Sequence, residues 1–558
     1  MKSKKSLKTL IIGLDGATFD LILPFIEKGE LPCFTYLLKN GAWGELASTL
    51  PPVTATAWPS LMTGENPGKH GILKFIQIDS GPETHDAHQQ AITSKSFAGR
   101  TFFDVMKMNG NRVGAVTIPV TYPPWDINGI MISGYPSPDN NKIYSVSPHI
   151  SLNFDKALNF DASYYQTASE EQILEDCLQS DRLRSDLTFD LLQSYEFESF
   201  TVVFGGIDRA CHDYWKYHDS EFSEISAVQR EKFKDAILRN YKLADEEISR
   251  YLNHFGDEAN LFIISDHGSG RSPTLAFNAN VWLKKNNLLK LRGSRTLVRQ
   301  ILRKVYKGAQ FLMTPRNRKS SVVMEKMRQR ASTSKVFGGH LNTMINWEKT
   351  EAFYYPLSYP VDGIMVNLKG RQACGIVDSG SEKEKLVRDI IQSLLEYRDE
   401  ETGDKVIEKA FRREEIYSGP FTDQFPDIVY FLNRKYMGGR ELGGSVTMSI
   451  PRFRLLKRSG MHLLNGVFIA HGPKIKPQQI YGARIIDIAP TLLYCSELPV
   501  PNSMDGRVLS GIFPKEILNT RPIEYFNFES KKMGNNDLID EKENEQMKEK
   551  LRSLGYID

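Results

Sequence analysis

Carboxylates and imidazoles with the chemistry of metal ligands follow short apolar runs in this chain. Asp208 and His212, in GGIDRACHDYW, are four positions apart, and on a helix they share a face that can hold one cation. Asp266 and His267, in SDHG after LFII, would diverge in an extended chain and could reach two different cations. As alternatives, the spacing of Asp208 and His212 could arise by chance, and SDHG could be a turn that is capped by its aspartate.

A hydroxyl nucleophile is offered by Thr54 in LPPVTATAWPSLMTG. Two prolines bring an extended chain to Thr54, and a helix could begin there, with Pro59 tolerated only in its first turn. A hydroxyl at a helix start lies beside unpaired amides and the positive end of the dipole, which stabilise an alkoxide and a phosphate oxygen. The alternative is an ordinary threonine that caps the helix.

The elements that must position these groups are visible as continuous apolar runs at 10–14, 200–204, 261–264 and 467–470. Continuous rather than alternating runs are typical of strands buried on both faces, so we predict an α/β fold with a largely parallel sheet covered by helices. Ligands gather at the carboxyl ends of such strands. We therefore expect the residues after the runs, including Asp15, Asp266 and His471, to converge there.

The order of these motifs resembles the nucleotide pyrophosphatase and phosphodiesterase branch of the alkaline phosphatase superfamily. The resemblance covers roughly residues 7–515 and rests on IGLDG, MTGENPGKHGI, DRACH, SDHG, GMH, VNLKGR and DIAPTLLYCSELPVPNSMDGRVL. It implies an alkaline phosphatase-like α/β/α sandwich with a largely parallel central sheet and inserted cap segments.

The resemblance also implies which residues hold two metal ions. The two sets are Asp15, Asp266 and His267 on one side and Asp208, His212 and His462 on the other. Thr54 would lie between the metals as nucleophile and ligand. His462 is preferred to His471 because GMH precedes the strand GVFIA, as the family's metal histidine does, whereas His471 follows it.

Two divalent cations can lower the pKa of the Thr54 hydroxyl, orient a phosphoryl group and stabilise the leaving oxygen, so no separate general base is required. Oxygen and imidazole ligands together favour zinc, with manganese or magnesium as alternatives. We expect a metal-dependent phosphohydrolase that cleaves a small anionic phosphate ester, of the phosphodiester or nucleotide pyrophosphate type, through a covalent phosphothreonine.

One departure from the family pattern affects substrate binding. The family usually has an asparagine three residues after the nucleophile, and here that residue is Ala57. Phosphate oxygens would then be bound by backbone amides, Arg209 or Lys369. A phosphomonoesterase or phosphomutase, a phosphonate hydrolase or head-group transferase, and a non-catalytic metal-binding protein stay open as alternatives. Sulfatase chemistry is disfavoured because VTATAW lacks the cysteine or serine of a CxPxR motif.

A basic insertion interrupts the α/β pattern. Residues 284–330 contain fifteen Lys or Arg and one acid, Glu325, although the whole chain has a net charge of only +3. We predict a catalytic domain over 1–515, a basic cap at 284–342 within it and a polar helical tail at 516–558. The amphipathic stretch 295–312 suits a packed cap helix with a solvated basic face, a lid that attracts anionic substrates, or a contact with an anionic membrane surface.

Bulk properties of the 558 residues narrow the partners and the compartment. The small net charge gives no reason to expect a nucleic acid polymer as partner. Five scattered cysteines without a CxxC pair suggest a reducing compartment, and no apolar run reaches the length of a membrane span. We expect a cytoplasmic enzyme, whose last segment, DEKENEQMKEKLRSLGYID, forms an amphipathic helix closed by Gly555.

Overall fold

A large, mostly parallel sheet with helices on both faces forms the centre of the molecule. The computed structural model describes residues 7–78, 89–139, 143–147, 150, 168–222, 225–292, 344–529, 539–554 and 556. Its strands are β1 (Thr9–Leu14), β2 (Ala42–Ala47), β3 (Ile76–Ile78), β4 (Gln89–Ala91), β5 (Val113–Ile118), β6 (Ile130–Ser133), β7 (Ser145–Val146), β8 (Ser199–Phe204), β9 (Asn260–Ile264), β10 (Gly268–Arg271), β11 (Leu275–Asn278), β12 (Ala352–Tyr355), β13 (Val361–Val366), β14 (Ile407–Arg412), β15 (Ile428–Leu432), β16 (Tyr436–Gly439), β17 (Thr447–Ser449), β18 (Gly460–Leu463), β19 (Asn465–His471), β20 (Gln478–Gln479), β21 (Ala483–Arg484), β22 (Val500–Pro501) and β23 (Tyr525–Phe526).

Its helices are α1 (Phe19–Glu27), α2 (Pro32–Asn40), α3 (Thr54–Thr63), α4 (Pro67–His70), α5 (Phe102–Met108), α6 (Glu170–Ser194), α7 (Gly206–His218), α8 (Ala227–Phe233), α9 (Ala236–Phe255), α10 (Ala279–Lys285), α11 (Ser381–Glu396), α12 (Arg452–Lys457), α13 (Ile488–Cys495), α14 (Lys515–Thr520) and α15 (Glu541–Ser553).

The central sheet has the strand order β20-β2-β19-β9-β1-β8-β5-β6-β7. The five strands β9, β1, β8, β5 and β6 are parallel to one another, whereas β19 runs antiparallel to both β9 and β2. The carboxyl ends of β1, β8 and β9 therefore lie side by side at one edge of the sheet. This edge carries the candidate site.

Both faces of the sheet are buried, which confirms the predicted α/β fold. In β1, Leu10 and Ile12 pack into one core with helices α1, α6, α7 and α9. Ile11 packs into the other core, with α3, α5, α13 and α15. Because successive strand residues point to opposite faces, a strand covered on both sides needs apolar residues at every position. This requirement explains the continuous apolar runs of the sequence.

A second body of small sheets is inserted in the carboxyl-terminal half of the chain. Strands β12-β13-β15-β14 form an antiparallel sheet, β16-β11-β17 form a smaller one, and α11 packs with them around a separate apolar core. The structure does not describe residues 293–343, which include most of the predicted basic cap 284–342. The amphipathic stretch 295–312 therefore lies outside the described residues. Within the described part of the chain, every helix is too short or too polar to cross a membrane.

Helix α3 differs from the sequence prediction at Pro59. The helix begins at Thr54 as predicted, but Pro59 lies in its second turn rather than its first. All ten residues of α3 are buried. Tertiary packing of a fully buried helix outweighs the loss of one backbone hydrogen bond at a proline.

Candidate metal centre

The candidate ligands lie on elements that meet at the carboxyl edge of the central sheet. Asp15 follows β1 directly, and Asp266 and His267 follow the neighbouring parallel strand β9. Thr54 is the first residue of α3. The remaining ligands come from α7, which carries Asp208 and His212, and from β18, which carries His462 opposite Ser269 of β10.

One group of buried side chains gathers around His267. Its Nε2 atom lies 3.6 Å from Asp15 Oδ1 and 3.4 Å from Asp266 Oδ2. Thr54 Oγ1 lies 3.3 Å from the same nitrogen. The ligand atoms of Asp15, Asp266 and His267 are all within 4.8 Å of one another, close enough to bind one ion.

A second group gathers around Asp208. Its Oδ1 atom lies 3.2 Å from His212 Nε2 and 3.5 Å from His462 Nε2, and these two nitrogens are 3.0 Å apart. The rings of His462 and His267 stack with centroids 3.7 Å apart, so the two groups adjoin. His267 also lies within ligand range of Asp208 and His462, which makes it the residue shared by both groups.

The three imidazoles are oriented by backbone carbonyls. The Nδ1 atoms of His212, His267 and His462 lie 2.7, 3.0 and 3.0 Å from the carbonyl oxygens of Gly460, Gly268 and Pro52. A carbonyl only accepts hydrogen bonds, so each Nδ1 must carry the proton and each Nε2 presents a lone pair to the cluster. Such partners are the usual means of fixing a metal-binding histidine.

The buried carboxylates of the site have oxygens without hydrogen-bond donors in the described part of the chain, and two of them have raised pKa values, as expected for ligands of a cation. Asp15 Oδ1, Asp208 Oδ1 and Asp266 Oδ2 are buried and accept no hydrogen bond from the described residues. Burial, followed by the charges of Asp266 and Asp208, raises the pKa of Asp15 well above its ordinary value. Burial and the Asp208 charge raise the pKa of Asp266 to about 8. The donor set of hard oxygens and neutral imidazoles fits two divalent ions, which would displace these protons.

Burial favours the neutral forms of His212 and His462, in which each imidazole can act as a ligand. Burial, followed by the electrostatic effect of the neighbouring His267 imidazole, lowers the pKa of His462 to about 3. Burial and the Arg458 guanidinium lower the pKa of His212. Arg458 also donates from Nη2 to His212 Nε2 at 2.8 Å, so its side chain must turn aside when His212 binds an ion. Sequence reasoning missed Arg458, which no motif marks.

The structure separates the two histidines that the sequence left in competition. His462 lies in the second group, whereas His471 is at the far end of β19, where its Nδ1 is 3.1 Å from the Asn40 carbonyl oxygen. The expectation that His471 converges with the other residues after apolar runs was wrong. Because β19 is antiparallel, its carboxyl end lies at the opposite edge of the sheet.

The two predicted substrate-binding residues are far apart. Arg209 lines a cavity of about 80 Å³ together with Asp15, Thr54 and Asp208. The structure does not bring Lys369 into this cavity. Its ammonium group is half-exposed and pairs with Asp378 at 2.8 Å, beyond the end of β13 in the inserted sheets.

Gly16, in the IGLDG motif, permits the close approach of β1 to α7. Its φ is +72°, and a Cβ atom would lie 2.9 Å from Asp208 Cα. We expect Gly16→Ala to lower the free energy of unfolding by about 1–3 kcal/mol from backbone strain alone. It should also weaken the binding of added zinc, the expected metal, by displacing Asp208. Urea unfolding and metal analysis measure the two effects.

Gly29→Ala is the matched control for Gly16→Ala. Gly29 has a similar φ of +74°, but none of the described atoms lies within 4 Å of its added Cβ. This variant should show the backbone strain without the loss of zinc. An equal loss of zinc in both variants would contradict the assigned role of Gly16.

Comparisons with known proteins agree with this geometry. Residues 9–448 match the family model described as type I phosphodiesterase / nucleotide pyrophosphatase. No curated protein sequence matches the chain.

Two solved structures resemble the chain at low identity. Murine ectonucleotide pyrophosphatase / phosphodiesterase 5 is 13% identical, with a TM-score of 0.43 over 91% of this chain and 100% of that one. Phosphonoacetate hydrolase from Sinorhizobium meliloti 1021, in complex with phosphonoacetate, is 13% identical, with a TM-score of 0.48 over 88% of this chain and 95% of that one.

Proposed function

Because this chain belongs to the type I phosphodiesterase/nucleotide pyrophosphatase family, we propose that it cleaves small phosphate esters through a covalent intermediate on Thr54. The chain is a phosphohydrolase of that family with buried Asp and His groups as candidate metal sites. The observation that carries the proposal is the position of Thr54 Oγ1, which is 3.3 Å from His267 Nε2 in a cavity also lined by Asp15 and Asp208.

The proposed ligands are Asp15, Thr54, Asp266 and His267 for one ion and Asp208, His212 and His462 for the other. Their mixture of carboxylate and imidazole donors favours zinc, with manganese or magnesium as alternatives. When bound, two such cations supply positive charge that lowers the pKa of the attacking hydroxyl and stabilises the leaving oxygen.

Thr54 then performs the chemistry in two displacements. Its Oγ forms a bond to phosphorus, its proton passes to solvent, and the ester oxygen leaves with the electrons of the broken P–O bond and takes up a proton. Water next attacks the phosphothreonine, the phosphoryl group is released, and Thr54 Oγ regains a proton. The amino end of α3 stabilises the attacking oxygen and the phosphoryl oxygens through its dipole and amides.

Arg209 is the proposed replacement for the asparagine that the family usually has at the position of Ala57. Arg209 follows Asp208 on α7 and lines the same cavity as Thr54. A guanidinium has a fixed fork of donors that matches two phosphoryl oxygens. It can therefore orient the phosphoryl group for attack by Thr54.

A substrate panel tests the proposal. Chelator-treated protein should be inactive, and addition of zinc should restore hydrolysis of p-nitrophenyl phosphate or bis-p-nitrophenyl phosphate. Faster turnover of the diester supports a phosphodiesterase, and faster turnover of the monoester supports a phosphomonoesterase or phosphomutase. Release of phosphate from a phosphonate would indicate C–P cleavage instead. Zinc-loaded protein that turns over none of these compounds would contradict the proposal and favour a binding protein.

A further inference from the structure

The last helix of the chain packs against the layer that carries Thr54. Met547 and Leu551 of α15 are fully buried in the same apolar core as α3. Asn544 Oδ1 accepts a hydrogen bond of 2.9 Å from the Ala91 amide, which fixes the position of α15 along its axis. Leu554 and Tyr556, which follow α15, are therefore held at a defined place.

That place is the candidate active site. Leu554 and Tyr556 line the same cavity as Thr54, and the Tyr556 hydroxyl donates to Asp208 Oδ2 at 3.3 Å. The Tyr556 ring packs against Phe75 with centroids 4.8 Å apart. Leu554 and Tyr556 together are called the C-terminal wall.

Two guanidinium groups flank the Tyr556 ring. Arg209 lies 5.9 Å from the ring centroid and Arg458 lies 5.4 Å from it, both within the range of a cation–π interaction. Arg209 lines the cavity itself, and Arg458 contacts His212. The wall thus positions two cationic side chains at the edge of the metal centre, where a phosphoryl group carries negative charge.

A second tyrosine indicates where a substrate atom would bind. The Tyr135 hydroxyl is buried, lines the cavity and has no hydrogen-bond partner among the described residues. Its ring lies 6.1 Å from that of Tyr556. Buried hydroxyls normally have a partner, so this one is suited to a polar atom of the substrate.

The volume of the cavity limits what that substrate can be. The cavity of about 80 Å³ has room for roughly five to eight water-sized groups at about 10–15 Å³ each. A phosphoryl group fills several of these positions and leaves few for its substituent. Leu554 and Tyr556 occupy space that a nucleoside or an aryl ring would otherwise enter.

From these contacts we infer that the C-terminal wall is the specificity-determining element of the active site and restricts it to phosphoryl compounds with a small substituent. The inference rests on the proposed function, because it places the phosphoryl group beside Thr54. The Tyr556 ring closes the space that a bulky substituent would need, and the Tyr135 hydroxyl lines the space that is left for a small one.

Two phosphonates of different size test the inference without turnover. Methylphosphonate and phenylphosphonate carry the same head group, and isothermal titration measures their affinities for zinc-loaded protein in excess zinc. The variants are a chain that ends at Ser553, Tyr556→Ala and Tyr556→Phe. Tyr481→Ala is the control, because Tyr481 is 80% exposed. Thermal unfolding establishes that each variant is folded.

The intact chain should bind methylphosphonate at least about tenfold more tightly than phenylphosphonate, since the wall excludes the ring sterically. The shortened chain and Tyr556→Ala should gain phenylphosphonate affinity and lose most of this preference. Tyr556→Phe and Tyr481→Ala should keep it, because the first retains the ring and the second leaves the wall intact.

Two results would overturn the inference and are distinguishable. If the intact chain binds methylphosphonate but its preference survives loss of the wall, the wall does not select by size and the proposed function is unaffected. If the zinc-loaded intact chain binds neither phosphonate, the proposed phosphoryl site fails together with the inference.

Discussion

Replacement of Thr54 by alanine should lower kcat for phosphate-ester hydrolysis by at least about 10³-fold, while at least one zinc ion per chain is retained. The expected loss is large because the Thr54 hydroxyl is the proposed nucleophile and alanine has no hydroxyl to replace it. Zinc should be retained since the carboxylate and imidazole ligands are unchanged. Steady-state kinetics and metal analysis of the same preparation measure both quantities.

Thr56→Ala is the matched control for Thr54→Ala. Thr56 lies on the same helix and is fully buried, but its hydroxyl makes no hydrogen bond within the described part of the chain. Its loss should leave kcat within a small factor of the wild type, and Thr54→Ser should retain partial activity. Near-normal turnover by Thr54→Ala would exclude the phosphothreonine intermediate.

The second large effect is expected at His462, which the sequence left in competition with His471 as a metal ligand. We expect His462→Ala to weaken the binding of added zinc at one of the two proposed positions by more than about 100-fold. His462 is a proposed direct ligand, and removal of a direct ligand costs more than removal of its supporting hydrogen bond. Turnover should fall with it, since the charge of one cation is lost. Competition with a chromophoric chelator measures the affinity of each position.

His471→Ala provides the comparison for His462→Ala. His471 is at the other end of β19, beside the Asn40 carbonyl oxygen and the Tyr36 ring. Its replacement should leave both zinc affinities unchanged. If His471→Ala loses zinc and His462→Ala does not, the second group has been assigned to the wrong histidine.

The sequence predicts the strands that build the site and the position of most site residues along them. The runs at 10–14, 200–204 and 261–264 coincide with β1, β8 and β9, because burial on both faces imposes an uninterrupted apolar pattern. In a parallel sheet the residues that follow such strands meet at one edge. The sequence alone therefore predicts that Asp15 and Asp266 lie close together.

The direction of β19 could not be predicted in this way. The run at 467–470 has the same apolar pattern as its parallel neighbours, yet the strand is antiparallel. The direction of the strand is decided by its pairing with β9 and β2, and the composition of the strand does not indicate it. Only the order of motifs favoured His462 over His471.

The residues that complete the site depend on contacts between distant parts of the chain. Tyr556 meets Asp208 across 348 positions, and Arg458 meets His212 across 246. Neither contact can be read from a local sequence pattern, because the partners are so far apart in the chain. Lys369, in contrast, lies in a motif shared with the family but is directed to Asp378 on the surface. Zinc as the metal and a cytoplasmic location stay predictions.

Anomalous diffraction from crystals of the zinc-loaded protein, measured on both sides of the zinc absorption edge, would locate the metal ions directly. We expect two anomalous peaks at the carboxyl edge of the sheet. One should be bound by Asp15, Asp266 and His267 and the other by Asp208, His212 and His462, with Thr54 Oγ1 facing them. A single peak, or peaks elsewhere on the molecule, would contradict the proposed two-metal site.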